Sequence, residues 1–119
     1  MTVALAVQSV EGPEIVIGYP WSIDLYVEAR GVVLFPSGVA LKAEVRRQAD
    51  GPLLASLTTA NGGLVRISDA SVRIAIAATD TAAMQTGMVS LDLVRTDVSP
   101  VAYVGVRLTI PVAAPITRP

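Results

Sequence analysis

Val72-Arg-Ile-Ala-Ile-Ala-Ala78, Thr79-Asp-Thr-Ala-Ala-Met84 and Gly87-Met-Val-Ser-Leu-Asp-Leu-Val-Arg95 together decide the fold. The first piece alternates, with Val72, Ile74 and Ile76 on one face, and a period of two belongs to a half-buried strand. The second reads as one short helical turn. Thr79 is placed to cap it, Asp80 suits the positive first turn, and alanines follow. Gly87 is expected to stop that turn. Alternation then resumes, with Val89, Leu91 and Leu93 inward. After Thr96-Asp-Val-Ser-Pro100, the run Tyr103-Val-Gly-Val-Arg-Leu-Thr-Ile110 alternates again, with Val104, Val106, Leu108 and Ile110 inward. Three strands with one dry face each must share a core.

Working toward the N-terminus, Ser22-Ile-Asp-Leu-Tyr-Val-Glu28 places Ile23, Leu25 and Val27 inward and Asp24, Tyr26 and Glu28 on the other side. Val39 to Arg47 does the same with Leu41, Ala43 and Val45 inward and Lys42, Glu44 and Arg46 outward. Gln48-Ala-Asp-Gly-Pro52 is a hairpin-type connection, Leu53-Leu-Ala-Ser-Leu57 pairs back, and Asn61-Gly-Gly63 turns into Leu64-Val-Arg-Ile67. Val3, Leu5 and Val7 suit an edge strand, and Ile15-Val-Ile17 is a short apolar run. Turn signals recur at roughly the 8–12-residue spacing of a sandwich, which predicts an all-β antiparallel sandwich of about seven to eight strands with one helical turn near 79–84. The tail Pro111-Val-Ala-Ala-Pro-Ile-Thr-Arg-Pro119 carries three prolines, none able to donate to a ladder. It is predicted to leave the sheet as an extended arm. The expected organisation is one domain over 1–119, with a core over 1–110 and an arm over 111–119 whose removal leaves the domain folded.

Of the 119 residues, 52% are hydrophobic but only 4% aromatic and 16% charged, so the core is aliphatic and β-branched. A net charge of −1 gives no basic stripe for nucleic acid and no polybasic run for an anionic membrane. Charges interrupt every apolar run before it reaches about 18 residues, which argues against a membrane-spanning helix. The first residues lack a basic n-region, which argues against a signal peptide. The excess of apolar residues suggests that part of the surface is covered by other subunits.

Cysteine and histidine are both absent, which removes disulfides, thiolate metal sites, the commonest metal ligand and the commonest general base. The ten carboxylates fall mostly in turns or on polar strand faces. Asp24 and Asp92 sit mid-strand, where pairing with Arg73, Arg107 or Lys42 is the ordinary way a sheet places charge. Asn61-Gly-Gly63 is too short for a phosphate cradle, and Asp69 and Asp80 lack calcium-loop spacing. No catalytic residue, metal or cofactor is expected. Five aromatic residues remain: Tyr19, Trp21, Tyr26, Phe35 and Tyr103. Trp21 beside Pro20 suits either a plug at one end of the sandwich or an anchor for a partner. Tyr26 and Tyr103 point away from the core residues, which suits contact. Trp21, Tyr26, Phe35, Tyr103, Pro111 and Pro115 are therefore the candidate partner contacts. A carbohydrate platform would need Trp21, Tyr26 and Tyr103 on one face.

The order of motifs resembles a family of small phage virion domains, the N-terminal domains of siphophage baseplate upper proteins that anchor receptor-binding fibres. The resemblance lies in Trp21-Ser-Ile-Asp-Leu-Tyr-Val27, Leu41-Lys-Ala-Glu-Val-Arg46 and Leu53-Leu-Ala-Ser-Leu57, and most specifically in the corner Ile74 to Met84 followed by Gly87-Met-Val-Ser-Leu-Asp-Leu93. It ends with Val104-Gly-Val-Arg-Leu-Thr-Ile110 and covers about residues 19 to 112. Two departures are that Val89 and Leu91 stand where the family usually carries aromatics, and that no fibre or coiled-coil segment follows. The resemblance implies an immunoglobulin-like β-sandwich without catalytic residues, docked in a symmetric virion against copies of itself and other virion proteins. A tail or baseplate adaptor made in the host cytoplasm is the first expectation. A capsid decoration or head-fibre protein is the alternative within that class, and a carbohydrate-binding sandwich the alternative outside it.

Overall fold

Alternating apolar residues become paired rows once the strands are laid side by side. The computed structural model describes residues 2–4, 9–28 and 31–119; Leu5 and Val7 of the expected first strand lie outside them. Among the described residues the chain forms β1 (Thr2–Ala4), β2 (Ser9–Glu11), β3 (Ile15–Val16), β4 (Trp21–Glu28), β5 (Leu41–Val45), β6 (Ala55–Thr58), β7 (Leu64–Ser68) and β8 (Ser71–Ile76). The helix α1 (Ala78–Ala82), β9 (Gly87–Arg95) and β10 (Ala102–Ala113) complete it.

One sheet has the order β1-β4-β8-β7, and the other β2-β10-β9-β5-β6 with β3 also on β10. The protein is therefore an all-β sandwich, largely antiparallel, and its strand order can be lettered A-B-E-D and A′-G-F-C-C′. The N-terminal segments depart from the antiparallel rule: β1 runs parallel to β4, and β2 and β3 run parallel to β10. The start of the chain thus pairs with both sheets.

Between the sheets the expected inward residues meet. Trp21 stands opposite Ile76, Ile23 opposite Ile74, and Leu25 opposite Val72. Leu108 faces Leu91 and Ile110 faces Val89 across β9 and β10. Leu25, Val72, Ile74, Val89, Leu108 and Ile110 are all fully buried. At about 1.5–3 kcal/mol for each large aliphatic side chain removed from water, these rows are the main driving force for closure.

Three expectations are corrected. The helix begins after Ala77, whose backbone is extended and which makes no side-chain cap; Thr79 lies inside the helix and caps nothing. Thr81 anchors α1 instead: fully buried, its hydroxyl lies 2.8 Å from the Tyr19 carbonyl oxygen and 3.1 Å from that of Ala78. Gly87 does not end the helix, which stops at Ala82, but opens β9 with φ +131°. There a Cβ would lie 2.8 Å from Nη1 of Arg47. The same guanidinium donates through Nη2 to the Gln85 and Thr86 carbonyls at 2.7 and 2.8 Å.

The third correction concerns the tail. β10 continues through Pro111 to Ala113, with Val112 buried in the core and facing Ile15 of β3. A proline is tolerated here for a geometric reason. The carbonyls of Thr109 and Ala113 accept from Gly12 N (2.9 Å) and Ile17 N (3.0 Å), so the odd-numbered residues of β10 turn their backbone toward β2 and β3. Pro111 therefore faces the break between those two strands, where no ladder donor is required. The residues after Ala113 do not project as an arm. Tyr19 donates its phenol to the Thr117 carbonyl at 2.7 Å, and Pro119 packs beside Gly18.

Candidate interaction surface

The six candidate contacts are dispersed. Phe35 is fully buried: its N–H donates to the Asp69 carbonyl at 3.1 Å and its own carbonyl accepts from Arg66 Nε at 2.6 Å. The loop carrying it folds over one end of the sandwich, so this ring is core and not contact. Trp21 is buried at the other end, with Nε1 donating to the Pro13 carbonyl at 3.0 Å. It plugs the sandwich. Pro111 is half-buried in the ladder, and Pro115 is half-buried beside a shallow apolar cleft. That cleft, of about 460 Å³, is lined by Glu14, Val16, Tyr19, Pro20, Trp21, Pro115 and Thr117. Tyr26 and Tyr103 are exposed, but on the outer faces of opposite sheets. Trp21, Tyr26 and Tyr103 therefore share no platform, and the carbohydrate arrangement loses its geometry.

The two outer faces differ in chemistry. That of the β2-β10-β9-β5-β6 sheet carries several ion pairs, with Tyr103 and Met88 exposed among them. Glu44 lies 3.2 Å from Arg46 and 3.7 Å from Lys42, and Asp92 lies 4.0 Å from Arg107. A hollow of about 460 Å³ there is lined by Glu44, Arg46, Arg47, Ser90, Asp92 and Arg107 among others. Its arginines are already engaged, Arg46 donating also to the Gly51 carbonyl at 2.7 Å. Partial burial and the neighbouring Asp92 carboxylate push the Tyr103 phenol above its ordinary range.

The outer face of the β1-β4-β8-β7 sheet sets Ser22, Ser71 and three large apolar side chains around one ion pair. Asp24 and Arg73 stand directly opposite on β4 and β8, with Nε–Oδ1 at 2.8 Å and Nη2–Oδ2 at 3.2 Å. The bidentate hydrogen bond from Arg73 holds the Asp24 carboxyl below the usual carboxylate range, and Asp24 raises Arg73 in turn. Around the pair, Tyr26, Val65 and Ile67 are each 45% exposed. Val65 continues the row beyond Arg73, and Tyr26 stands opposite Ser71.

β7, which carries Val65 and Ile67, is an edge strand, and it is blunted. The register slips between Arg66 and Ser68, and Arg66 lies on the core side of the strand, opposite Val72. From there it donates to the Phe35 carbonyl and to Asp69, the latter at 2.6 Å. A bulge and an inward charge are devices that discourage another strand from adding to an edge. What β7 offers is its face.

The Asn61-Gly-Gly63 segment is a turn, as its composition implies. The Asn61 amide oxygen accepts from Thr58 N and Gly63 N, each at 2.9 Å, and its nitrogen donates to the Ser56 carbonyl at 2.9 Å. Among the described residues no group of three or more acidic side chains is placed to hold a metal ion, and no helix is long and apolar enough to cross a membrane. No protein-family model matches the sequence, and no curated protein sequence matches it.

Proposed function

We propose that this chain is a non-catalytic structural module of a tailed-phage or phage-like particle, made in the host cytoplasm and acting by protein–protein contact at the tail or baseplate. Its partners are neighbouring copies of itself and another virion protein. The observation that carries the contact role is the outer face of the β1-β4-β8-β7 sheet, where Tyr26, Val65 and Ile67 stand in the open around one ion pair; on the other outer face the exposed Tyr103 and Met88 stand among several ion pairs. Exposed apolar side chains gathered on one sheet face mark an interaction surface. The motif order from Trp21 to Ile110 supports the phage setting.

The test is location. An antibody raised against the purified chain is applied to density-purified particles from cells carrying the gene, and labelling is viewed by electron microscopy. Label at the tail or baseplate supports the proposal. Label on the head moves the chain to the capsid, and recovery of the protein only outside particles overturns the virion reading.

A further inference from the structure

We infer that the outer face of the β1-β4-β8-β7 sheet is a self-association surface, on which two copies of this chain meet face to face about a two-fold axis. The inference gives a partner and a geometry to the contact role proposed above, and it stands or falls separately from the phage setting.

The charge pattern selects the occupant. Asp24 and Arg73 lie side by side at the middle of the face, with their side chains 55% and 54% exposed, so both present charge outward as well as to each other. A partner of one sign would meet attraction at one residue and repulsion at its neighbour. A second copy does not. With the axis in the interface plane, parallel to the strands and midway between β4 and β8, Asp24 of each copy stands over Arg73 of the other. The same rotation sets Tyr26 of each copy over Ser71 of the other, and carries Val65 and Ile67 across toward the β1 side. An isologous contact requires such a self-complementary patch. At the β7 edge, addition of a further strand is discouraged by the bulge and by Arg66, which leaves that strand its face for contact.

Charge complementation in solution tests this. Asp24→Arg makes the pair doubly positive and Arg73→Glu makes it doubly negative. The wild type is expected to dimerise with rising concentration in sedimentation analysis, and each variant to associate about tenfold more weakly or worse, because like charges meet twice per dimer. An equimolar mixture of the two variants should recover association as a mixed dimer. Lys42→Glu, on the opposite face, should change nothing. A wild type that stays monomeric to about 1 mM, variants that dimerise like wild type, or a mixture that fails to recover would each overturn the inference.

A second measurement does not depend on the charged variants folding. The chain has no cysteine of its own. Tyr26→Cys mixed with Ser71→Cys should therefore yield a mixed dimer bridged by a short bismaleimide, which spans the roughly 10 Å between packed sheets, in excess over either variant alone, and absence of that excess overturns the geometry. Dimers in solution with no label on particles would retain this inference and remove the phage reading; labelled particles with a monomeric protein would do the reverse.

Discussion

Asp24 and Arg73 are joined by two hydrogen bonds across adjacent strands, Nε to Oδ1 at 2.8 Å and Nη2 to Oδ2 at 3.2 Å, although 49 residues separate them in the chain. The pair links the direction of acid titration to the state of the sheet. The folded carboxyl titrates below its unfolded value of about 3.9, so its contribution is complete above that value and is lost as pH falls through the lower folded one. Asp24→Asn should melt below wild type by a margin that is constant from about pH 8 to 5 and closes below about pH 4. Thermal unfolding followed by circular dichroism across this range checks the sign.

Thr81 joins α1 to the corner before β4 through one buried hydroxyl. Thr81→Val keeps the shape and leaves the Tyr19 carbonyl without that donor. The expected loss is about 1–3 kcal/mol in urea unfolding, with Thr81→Ser retaining more of the stability.

Gly87 combines φ +131° with a Cβ position already claimed by the Arg47 guanidinium. Gly87→Ala should cost about 1–3 kcal/mol from backbone strain. Pairing it with Arg47→Ala should relieve the crowding but not the backbone, so the double variant stays below wild type.

The end of the chain divides at Ala113. Removing residues 114–119 takes away the Tyr19–Thr117 hydrogen bond and should cost about 0.5–1.5 kcal/mol. Removing residues from Pro111 onward also deletes buried Val112 and the pairing with β3, and should cost at least about 2 kcal/mol more. Comparative denaturation of the two truncations separates them.

Phe35 offers the largest single loss. Phe35→Ala empties a fully buried site beneath the loop and should destabilise by about 3–5 kcal/mol.

The sandwich was legible because its central strands obey the period of two: Val72, Ile74, Ile76, Val89, Leu91 and Leu93 all point where alternation places them. The contact surface was not, and β7 shows why. In Leu64-Val-Arg-Ile67 a reading by polarity alone turns Val65 and Ile67 inward and Arg66 outward. Register with β8 does the opposite, because Leu64 must meet Ile74 and Arg66 must meet Val72. Arg66 tolerates its place by reaching the Phe35 carbonyl and Asp69, partners supplied by a loop 31 residues away and by the next turn. The burial of Phe35 escapes a reading of the sequence for a related reason. A loop aromatic looks available until the loop is seen closing the end of the barrel of side chains. The tail misled through its prolines, since whether a proline breaks a ladder depends on which neighbour its nitrogen faces, and that is fixed by β2 and β3.

The parallel pairing of β2 and β3 with β10 has a mechanical consequence. These strands lie near the two ends of the chain and run the same way, so pulling the ends apart drags them past each other along their length. The ladder bonds between them are then loaded together, in shear, instead of opening one after another like a zip. Rupture under tension is governed by the unfolding rate, and this arrangement sets the ladder of β2 and β3 on β10 against the load.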